Sequence, residues 1–468
     1  MISSQSRAMR IGNAMYVGLF LAALAAPLGI MLRQPPQTVN REENRVLAEF
    51  PKWQDERIQG WPRKVDAYLN DHFGGRQYLV RLLNLFKVRG LGVSTSPDVL
   101  LGKDGWLFYA AAGQMEDYQG RQLLKSEQLQ QWQNVLEGRK AWLARRGIQY
   151  LFVVAPNTTS IYPEYLPDHV RASRGTTRLE QLLRYLREHS QLEIVDLRDA
   201  LWQAKASAEL YARNDTHWND HGALVAYQVV CRRLAESYPQ MQPLGLSDFI
   251  ALSHPSGGDL GIMLGLKHDL LSDYGMLKPR VAFRAKPAPL ALDPSLPWPI
   301  WSKGHPPVAL ENGAGQRRLL VFQDSFFANL PQACLAEHFR RSVFVYARGD
   351  YPLLQWLVEH ERPDVIVEEW VERVLCQIPQ DHPEFLAARQ SQNRIARATA
   401  CRDSKNGFKP SEALLAGNRL RRDNLQAVLP AHPLNPFSRQ AVAHLGFPFR
   451  ITQPCLVAEN HPRSLTVP

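Results

Sequence analysis

Short apolar runs alternate with amphipathic helical stretches through the middle of the chain, and this alternation restricts the available folds more than any other feature. Residues 149–155 (QYLFVVA) form an apolar run of strand length. The helix before it carries Leu129, Trp132, Leu136 and Leu143 on one face and ends near Gly147. Thr177 and Glu180 stand at capping-box spacing before a helix over 179–189, and 192–197 is the next strand. Asn219 or Asp220 caps a helix in which Ala223, Leu224, Tyr227, Val230, Cys231 and Leu234 recur at helical spacing. Residues 319–323, 343–346 and 365–368 read as strands, with a helix over 352–360 between the last two. Strands that alternate with helices build a largely parallel sheet covered on both faces, so the expected class is α/β.

The flanking segments follow other patterns. Residues 11–32 are 22 uncharged and mostly apolar positions, which as a helix span about 33 Å against a hydrocarbon core of about 30 Å. Arg7 and Arg10 precede the segment, and Ala23-Leu24-Ala25 offers a cleavage site, so a signal peptide and an uncleaved anchor compete. The apolar run continues through Leu32, which favours the anchor. Arg33, Arg41 and Arg45 outnumber the basic residues on the other side, so charge alone does not set the topology. Either reading exports the rest of the chain.

The expected organisation is 1–33 as signal anchor or signal peptide, 34–100 as spacer and helical lead-in, 101–375 as the main domain, and 376–468 as a Pro-rich extension. Within the lead-in, 62–89 reads as helical. Asp104-Gly105 reads as a turn before a short aromatic strand. Residues 243–317 hold many Pro and Gly and few periodic runs, and are expected to be an irregular insertion with loops over the sheet edge. The extension is expected to be partly helical, over 384–400, or disordered.

Composition excludes several classes. Apolar residues make up 45% of the chain and charged residues 21%, which is globular rather than collagen-like, disordered or many-spanning. The net charge of +10 favours anionic partners, yet it is spread out, with no basic run marking a nucleic-acid arm. A carboxylated polysaccharide suits an exported chain better. Cysteines at 231, 334, 376, 401 and 455 show no metal-site spacing, so no metal is expected. Their odd count leaves at least one thiol free unless it pairs between chains; Cys401 and Cys455 could bridge in an oxidising compartment, or stay unpaired.

Two short motifs carry chemistry. Ser325 follows Asp324 at the end of the 319–323 strand, before what reads as a helix. Carboxyl ends of strands in such sheets are where ligands bind, and a serine there is placed like a nucleophile with N–H groups free for an oxyanion; a helix cap is the structural alternative. Asp215-Thr216-His217-Trp218-Asn219-Asp220-His221 supplies the second motif. A serine hydroxyl needs a histidine to accept its proton, and that histidine needs a carboxylate to fix its tautomer. Asp215 and His217 provide both, or else form only a local turn. His221 is a competing base, expected to face solvent.

Together with Glu43-Asn44-Arg45, Asp71-His72-Phe73-Gly74-Gly75-Arg76, Gly102-Lys103-Asp104-Gly105-Trp106-Leu107-Phe108, Ile161-Tyr162-Pro163-Glu164, Gly258-Asp259-Leu260-Gly261 and Asp324-Ser325-Phe326, these motifs resemble the alginate O-acetyltransferase family of the AlgJ and AlgX type. The resemblance runs from about Arg41 to about Arg373. It implies an SGNH-hydrolase-like three-layer αβα sandwich with Ser325 as acetyl-accepting nucleophile, His217 as base and Asp215 as its orienting partner. The Asp-x-His precedes the serine, an order similar to the family's own.

Gln323 stands where an SGNH motif has Gly, and Thr158 where many relatives are expected to carry Lys, which puts polymer specificity in doubt. Asn157-Thr158-Thr159 also fits a glycosylation sequon. Tyr162, Gly258 and Asp259 are candidates for the substrate-binding rim; Asp259 equally suits a turn. Trp106 and Trp218 are candidates to stack on sugar rings, although aromatics there equally suit the core.

The implied activity is transfer of acetyl groups onto hydroxyls of an exopolysaccharide in the periplasm, from an inner membrane tether at 11–32. A soluble periplasmic form after cleavage is the alternative location. The resemblance implies no cofactor, a membrane-bound O-acyltransferase as acetyl source, and no nucleic-acid partner. An esterase with the same triad and a non-catalytic polysaccharide-binding scaffold are the alternative functions.

Overall fold

The computed structural model describes residues 2–33, 39–40, 45–51, 60–296, 298 and 304–405, with side chains outside 1–8, 39–45 and 395–405. Helix α1, Ile2–Arg33, contains the apolar segment. Its residues from Met9 to Arg33 are long and apolar enough to cross a membrane, with a mean hydropathy of 2.1 and none buried against the protein. Helices α2 (Trp61–His72) and α3 (Arg76–Leu85) divide the expected 62–89 helix. The break falls at Gly74-Gly75, where Gly75 takes a left-handed φ of 77° that a residue with a Cβ rarely adopts. Strands β1 (Val99–Leu101) and β2 (Leu107–Tyr109) form a hairpin, turned by Asp104 and Gly105 with φ of 52° and 79°. Positive φ at both positions is what an Asp-Gly turn supplies.

The main layers then follow in order. They are α4 (Ser126–Ala144), β3 (Gln149–Ala155), α5 (Arg178–His189), β4 (Ile194–Asp196), α6 (Asp220–Ala235), the ribbon β5 (Phe249–Ser256) and β6 (Ser272–Pro279), β7 (Lys286–Ala288), β8 (Val308–Glu311), β9 (Arg318–Phe322), α7 (Leu330–Ala336), β10 (Arg341–Val345), α8 (Tyr351–Glu361), β11 (Val365–Val371) and α9 (Pro383–Lys405). Thr177 and Glu180 form the expected capping box on α5. The central sheet has the order β4-β3-β11-β9-β10-β8-β7. Its first five strands are parallel, and β8 and β7 add to β10 antiparallel.

Alternate residues of each central strand enter opposite cores. Leu151, Val153, Leu319, Val321, Val365 and Val367 pack beneath α6 and α7. Phe152, Val154, Leu320, Phe322 and Ile366 pack beneath α4, α5, α8 and α9. Such two-sided burial is why these strands read as unbroken apolar runs. The result is the expected αβα sandwich.

Residues 243–317 correct the expectation of an irregular insertion. They contain the β5–β6 ribbon, the short helix Gly258–Met263 and the two antiparallel edge strands of the main sheet. The ribbon escapes a periodicity reading because residues 250–255 are exposed on both faces and leave no apolar alternation. Pro255, Pro279 and Pro287 also lie within these strands, where proline is confined to edges and ends. In the C-terminal extension α9 is helical over 383–405, and buried Phe385 and Ala388 dock it on α4. Residues 406–468, Glu43-Asn44, the Cys401 side chain and Cys455 lie outside the described residues, so the proposed bridge does too. Cys231 and Cys334 are buried free thiols, and Cys376 is an exposed one.

One ion pair lies inside the second core. Arg139 and Glu368 are essentially unexposed and bonded at 2.7 Å. Glu368 also accepts from the Tyr150 hydroxyl, the Trp370 indole N–H and the Gly349 N–H. Removing Glu368 leaves the buried Arg139 charge only the largely exposed Asp350 carboxylate, 3.3 Å away, among the described residues, so Glu368→Ala is expected to destabilise the fold by about 3–5 kcal/mol in urea unfolding. Replacing both residues with apolar side chains of similar volume is expected to cost less.

Candidate active site

The candidate site lies at the carboxyl ends of β9, β10 and β11. After β9 the chain enters a turn, and α7 begins only at Leu330, so Ser325 is not part of a helix cap. Asp324 instead holds the turn through its side chain: Oδ1 accepts from Phe326 N–H and Oδ2 from Val371 N–H, both at 3.0 Å. Behind it, buried Glu369 accepts from the Asp324 N–H. Burial, and then the Asp324 charge, push the Glu369 carboxyl well above the usual carboxylate range. Gln323 N–H donates to the Val345 carbonyl and continues the sheet register.

The Asp215–Trp218 segment precedes α6, which is capped by Asn219 through the His221 and Gly222 N–H groups. Asp215 folds back two residues: Oδ1 accepts from His217 N–H at 3.0 Å and pairs with His217 Nδ1 at 2.8 Å. His217 Nε2 lies 2.7 Å from Ser325 Oγ. With the proton on Nδ1, where the carboxylate draws it, Nε2 accepts the serine hydroxyl. Carboxylate, imidazole and hydroxyl are therefore in one hydrogen-bonded line.

Asp259 closes the arrangement from behind. Its N–H donates to Asp215 Oδ2 at 3.1 Å, and its carboxylate accepts from Thr216 N–H and the Thr216 hydroxyl. It approaches His217 Nδ1 to 3.6 Å. Gly258 makes this possible: its φ is 57°, and a Cβ there would meet the Asn214 carbonyl at 2.0 Å. Burial, and then the Asp215 charge, raise the Asp259 carboxyl to about 6. Asp215, His217 and Asp259 offer ligand atoms within 4.8 Å of one another. Each of those atoms is already engaged by a protein hydrogen bond, which makes the cluster a hydrogen-bonded unit.

Several expected site residues have other places. Trp218 is buried, and its indole N–H donates to the Phe326 carbonyl at 2.9 Å. It joins the histidine loop to the serine loop and presents no face to a sugar. Tyr162 is also buried rather than on a rim; it stacks on Trp106 at 4.4 Å, and its hydroxyl accepts from Leu210 N–H. Gly258 and Asp259 support the histidine from behind. Thr158 and Asn157 are buried at 4% and 3% exposure, which removes both from acceptor contact and the sequon from use. His221 is half-buried beside Gly275, not solvent-facing, and burial lowers its pKa.

Two residues at the site were not read from the sequence. The Tyr346 hydroxyl is hydrogen-bonded to Ser325, and its ring stacks on His305 at 4.2 Å. Arg373 lies over the Phe326 and Tyr109 rings at 5.3 and 5.6 Å. Tyr346 directly follows β10 and Arg373 closely follows β11, so the strand-end rule that singled out Ser325 contained the signal for both.

Fold and site together define a three-layer αβα domain of the SGNH hydrolase-like class. Residues 99–282 match the family model described as "SGNH hydrolase-like domain, acetyltransferase AlgX", a stretch that includes Asp215 and His217 and ends before Ser325. Over that stretch the chain is similar to the AlgJ/AlgX family. The chain is similar to "Probable alginate O-acetylase AlgJ" of Pseudomonas fluorescens, 25% identical over 268 residues, covering 56% of this chain and 61% of that protein. It is similar to the protein of the same description from Pseudomonas aeruginosa, 28% identical over 142 residues, covering 30% and 34%. The chain thus spans less than two thirds of either relative. The solved "O-Acetyltransferase Domain of Pseudomonas putida AlgJ" aligns with 63% of this chain and 99% of that one, at 21% identity and a TM-score of 0.41.

The electrostatics of His217 give a direct test. Burial lowers its pKa, but the Asp215 hydrogen bond and charge and the Asp259 charge outweigh burial, so the net shift is upward from 6.5. The imidazole is therefore expected to titrate above 6.5 by NMR, and below that midpoint it holds a proton and cannot accept one from Ser325. Asp215→Asn removes the main raising influence and leaves burial, so the midpoint is expected to move down.

Proposed function

We propose that the chain is a membrane-anchored, periplasmic O-acetyltransferase that places acetyl groups on hydroxyls of an alginate-like exopolysaccharide. The observation that carries this reading is the line Asp215–His217–Ser325, with contacts of 2.8 and 2.7 Å at the carboxyl edge of a parallel sheet. The names of the relatives supply the acyl group and the acceptor class.

In the first half-reaction Ser325 Oγ attacks the carbonyl carbon of an acetyl donor while His217 Nε2 takes the hydroxyl proton. The carbonyl electron pair moves onto oxygen. The Ser325 N–H, which has no hydrogen-bond partner among the described residues, is available to that oxyanion. Collapse expels the donor's leaving group, which takes the proton from His217, and leaves acetyl-Ser325. In the second half His217 removes a proton from a sugar hydroxyl, whose oxygen attacks the acetyl carbon. Collapse returns the electron pair and the proton to Ser325 Oγ.

Asp215 keeps the imidazole in the productive tautomer and offsets its charge. Acetyl-CoA is not expected outside the cytoplasm, so a membrane-bound O-acyltransferase is the proposed donor. Helix α1 is the proposed tether in the inner membrane.

Acetyl transfer from a chromogenic ester to an oligosaccharide, followed by mass spectrometry, tests the chemistry. Ser325→Ala and His217→Ala are each expected to reduce turnover by about 10⁶, and the double variant by no more, because the two groups act in one proton transfer. Asp215→Asn is expected to cost about 10⁴. Ester cleavage that persists in Ser325→Ala would remove the serine from the mechanism. Release of acetate without transfer to any oligosaccharide would favour an esterase.

Location is tested separately by fractionation. The full chain is expected in the membrane fraction, with the domain open to protease added to the periplasm. A soluble periplasmic product lacking residues 1–25 would refute the tether and leave export standing.

A further inference from the structure

Arg373 differs from the other arginines of the domain's interior. Arg139, Arg178, Arg198 and Arg341 each hold a carboxylate within 4 Å. The guanidinium of Arg373 makes no hydrogen bond or ion pair among the described residues, although it sits at the site and is only half-buried. It lies over Phe326, the residue after Ser325, and the same ring lies 5.0 Å from the His217 ring. Tyr109 flanks the guanidinium on another side. Its charge bears on His217.

The nearby acids are committed elsewhere. Glu372 accepts from Asn157 N–H and the Ser160 hydroxyl, Asp215 from His217 and Asp259, and Asp259 from Thr216. Burial of Glu372, only partly opposed by the Arg198 charge, raises its carboxyl to about 7 and reduces its value as a counter-ion. Among the described residues the fold therefore gives Arg373 no carboxylate.

We propose that Arg373 is a carboxylate subsite next to the Ser325–His217 pair, which takes the uronate carboxylate of an anionic polysaccharide acceptor. The proposal rests on the acetyl-transfer reading and adds a residue for acceptor choice. Guanidinium is planar and presents paired donors that match a carboxylate in two parallel hydrogen bonds. The Phe326 and Tyr109 rings orient it while leaving those edge donors unused. On a uronate, the carboxylate and the ring hydroxyls belong to one sugar. Anchoring the first at Arg373 can therefore present one of the second to His217 Nε2. A neutral sugar gains nothing from this cation.

Equilibrium binding of an oligouronate to the full-length protein in detergent tests the subsite without any acetyl donor, so the result stands whether or not acetyl transfer is observed. The comparison ligand is the same oligomer with its carboxylates reduced to alcohols. Arg373→Gln is expected to weaken oligouronate binding roughly 10- to 100-fold, the scale of hydrogen bonds to a charged group. Binding of the reduced oligomer should change little, and Arg373→Lys should recover part of the loss. In the unaltered protein the oligouronate should bind more tightly than its reduced form, with the difference shrinking as salt rises. Equal binding of the two ligands by the unaltered protein would overturn the proposal, as would equal losses for both in Arg373→Gln.

Discussion

Two loops whose key residues are 108 positions apart meet at hydrogen-bonding distance, and the contact that ties them is the Trp218 indole N–H on the Phe326 carbonyl. The bond is buried and flanked by edge-to-face packing of the same two side chains, with ring centroids 4.9 Å apart. His217 and Ser325 are the immediate chain neighbours of these residues. Once the indole is seated, the imidazole and the hydroxyl have little freedom left, and their 2.7 Å contact follows. Preorganisation of this kind makes a proton transfer effective, because the groups need no search before they react.

The sheet supplies the other half of that constraint. Strands β9, β10 and β11 are parallel neighbours, so Ser325, Tyr346 and Arg373 leave the sheet from the same edge. Asp324 is pinned by the Val371 N–H at the end of β11, which couples the serine turn to the strand beside it. Charge is placed with the same economy. Asp215 and Asp259 both face His217 and raise its pKa, while burial and the adjacent Asp324 charge push the Glu369 carboxyl up.

The sequence was legible where the chain's own period or a local motif decided the outcome. Apolar runs of strand length marked the parallel strands because burial on both faces leaves few polar positions in them. The Asp-Gly turn and the Thr177–Glu180 box were likewise local. The aspartate two residues before His217 folds back within one turn, a contact between near neighbours. The β5–β6 ribbon and the edge strands β7 and β8 were not legible, because exposed two-stranded ribbon has no buried face to impose a period. Trp218, Tyr162 and Asp259 drew attention by residue type and resemblance. Whether each would face a ligand or the core depended on what packs against it.

By itself, then, the sequence determined the alternation of strands and helices, the apolar N-terminal segment, and the short motifs that hold Ser325, His217 and Asp215. Those depend on interactions spanning a few residues, whose physics is complete within the segment. Tertiary structure alone decided that Ser325 and His217 meet, that Trp218 faces inward to join their loops, and that Asp259 stands behind the histidine. It also placed the Arg373 guanidinium beside the serine turn, with no ion pair among the described residues. These relations join residues tens to more than a hundred positions apart. They arise from strand order and core packing, which no local pattern encodes.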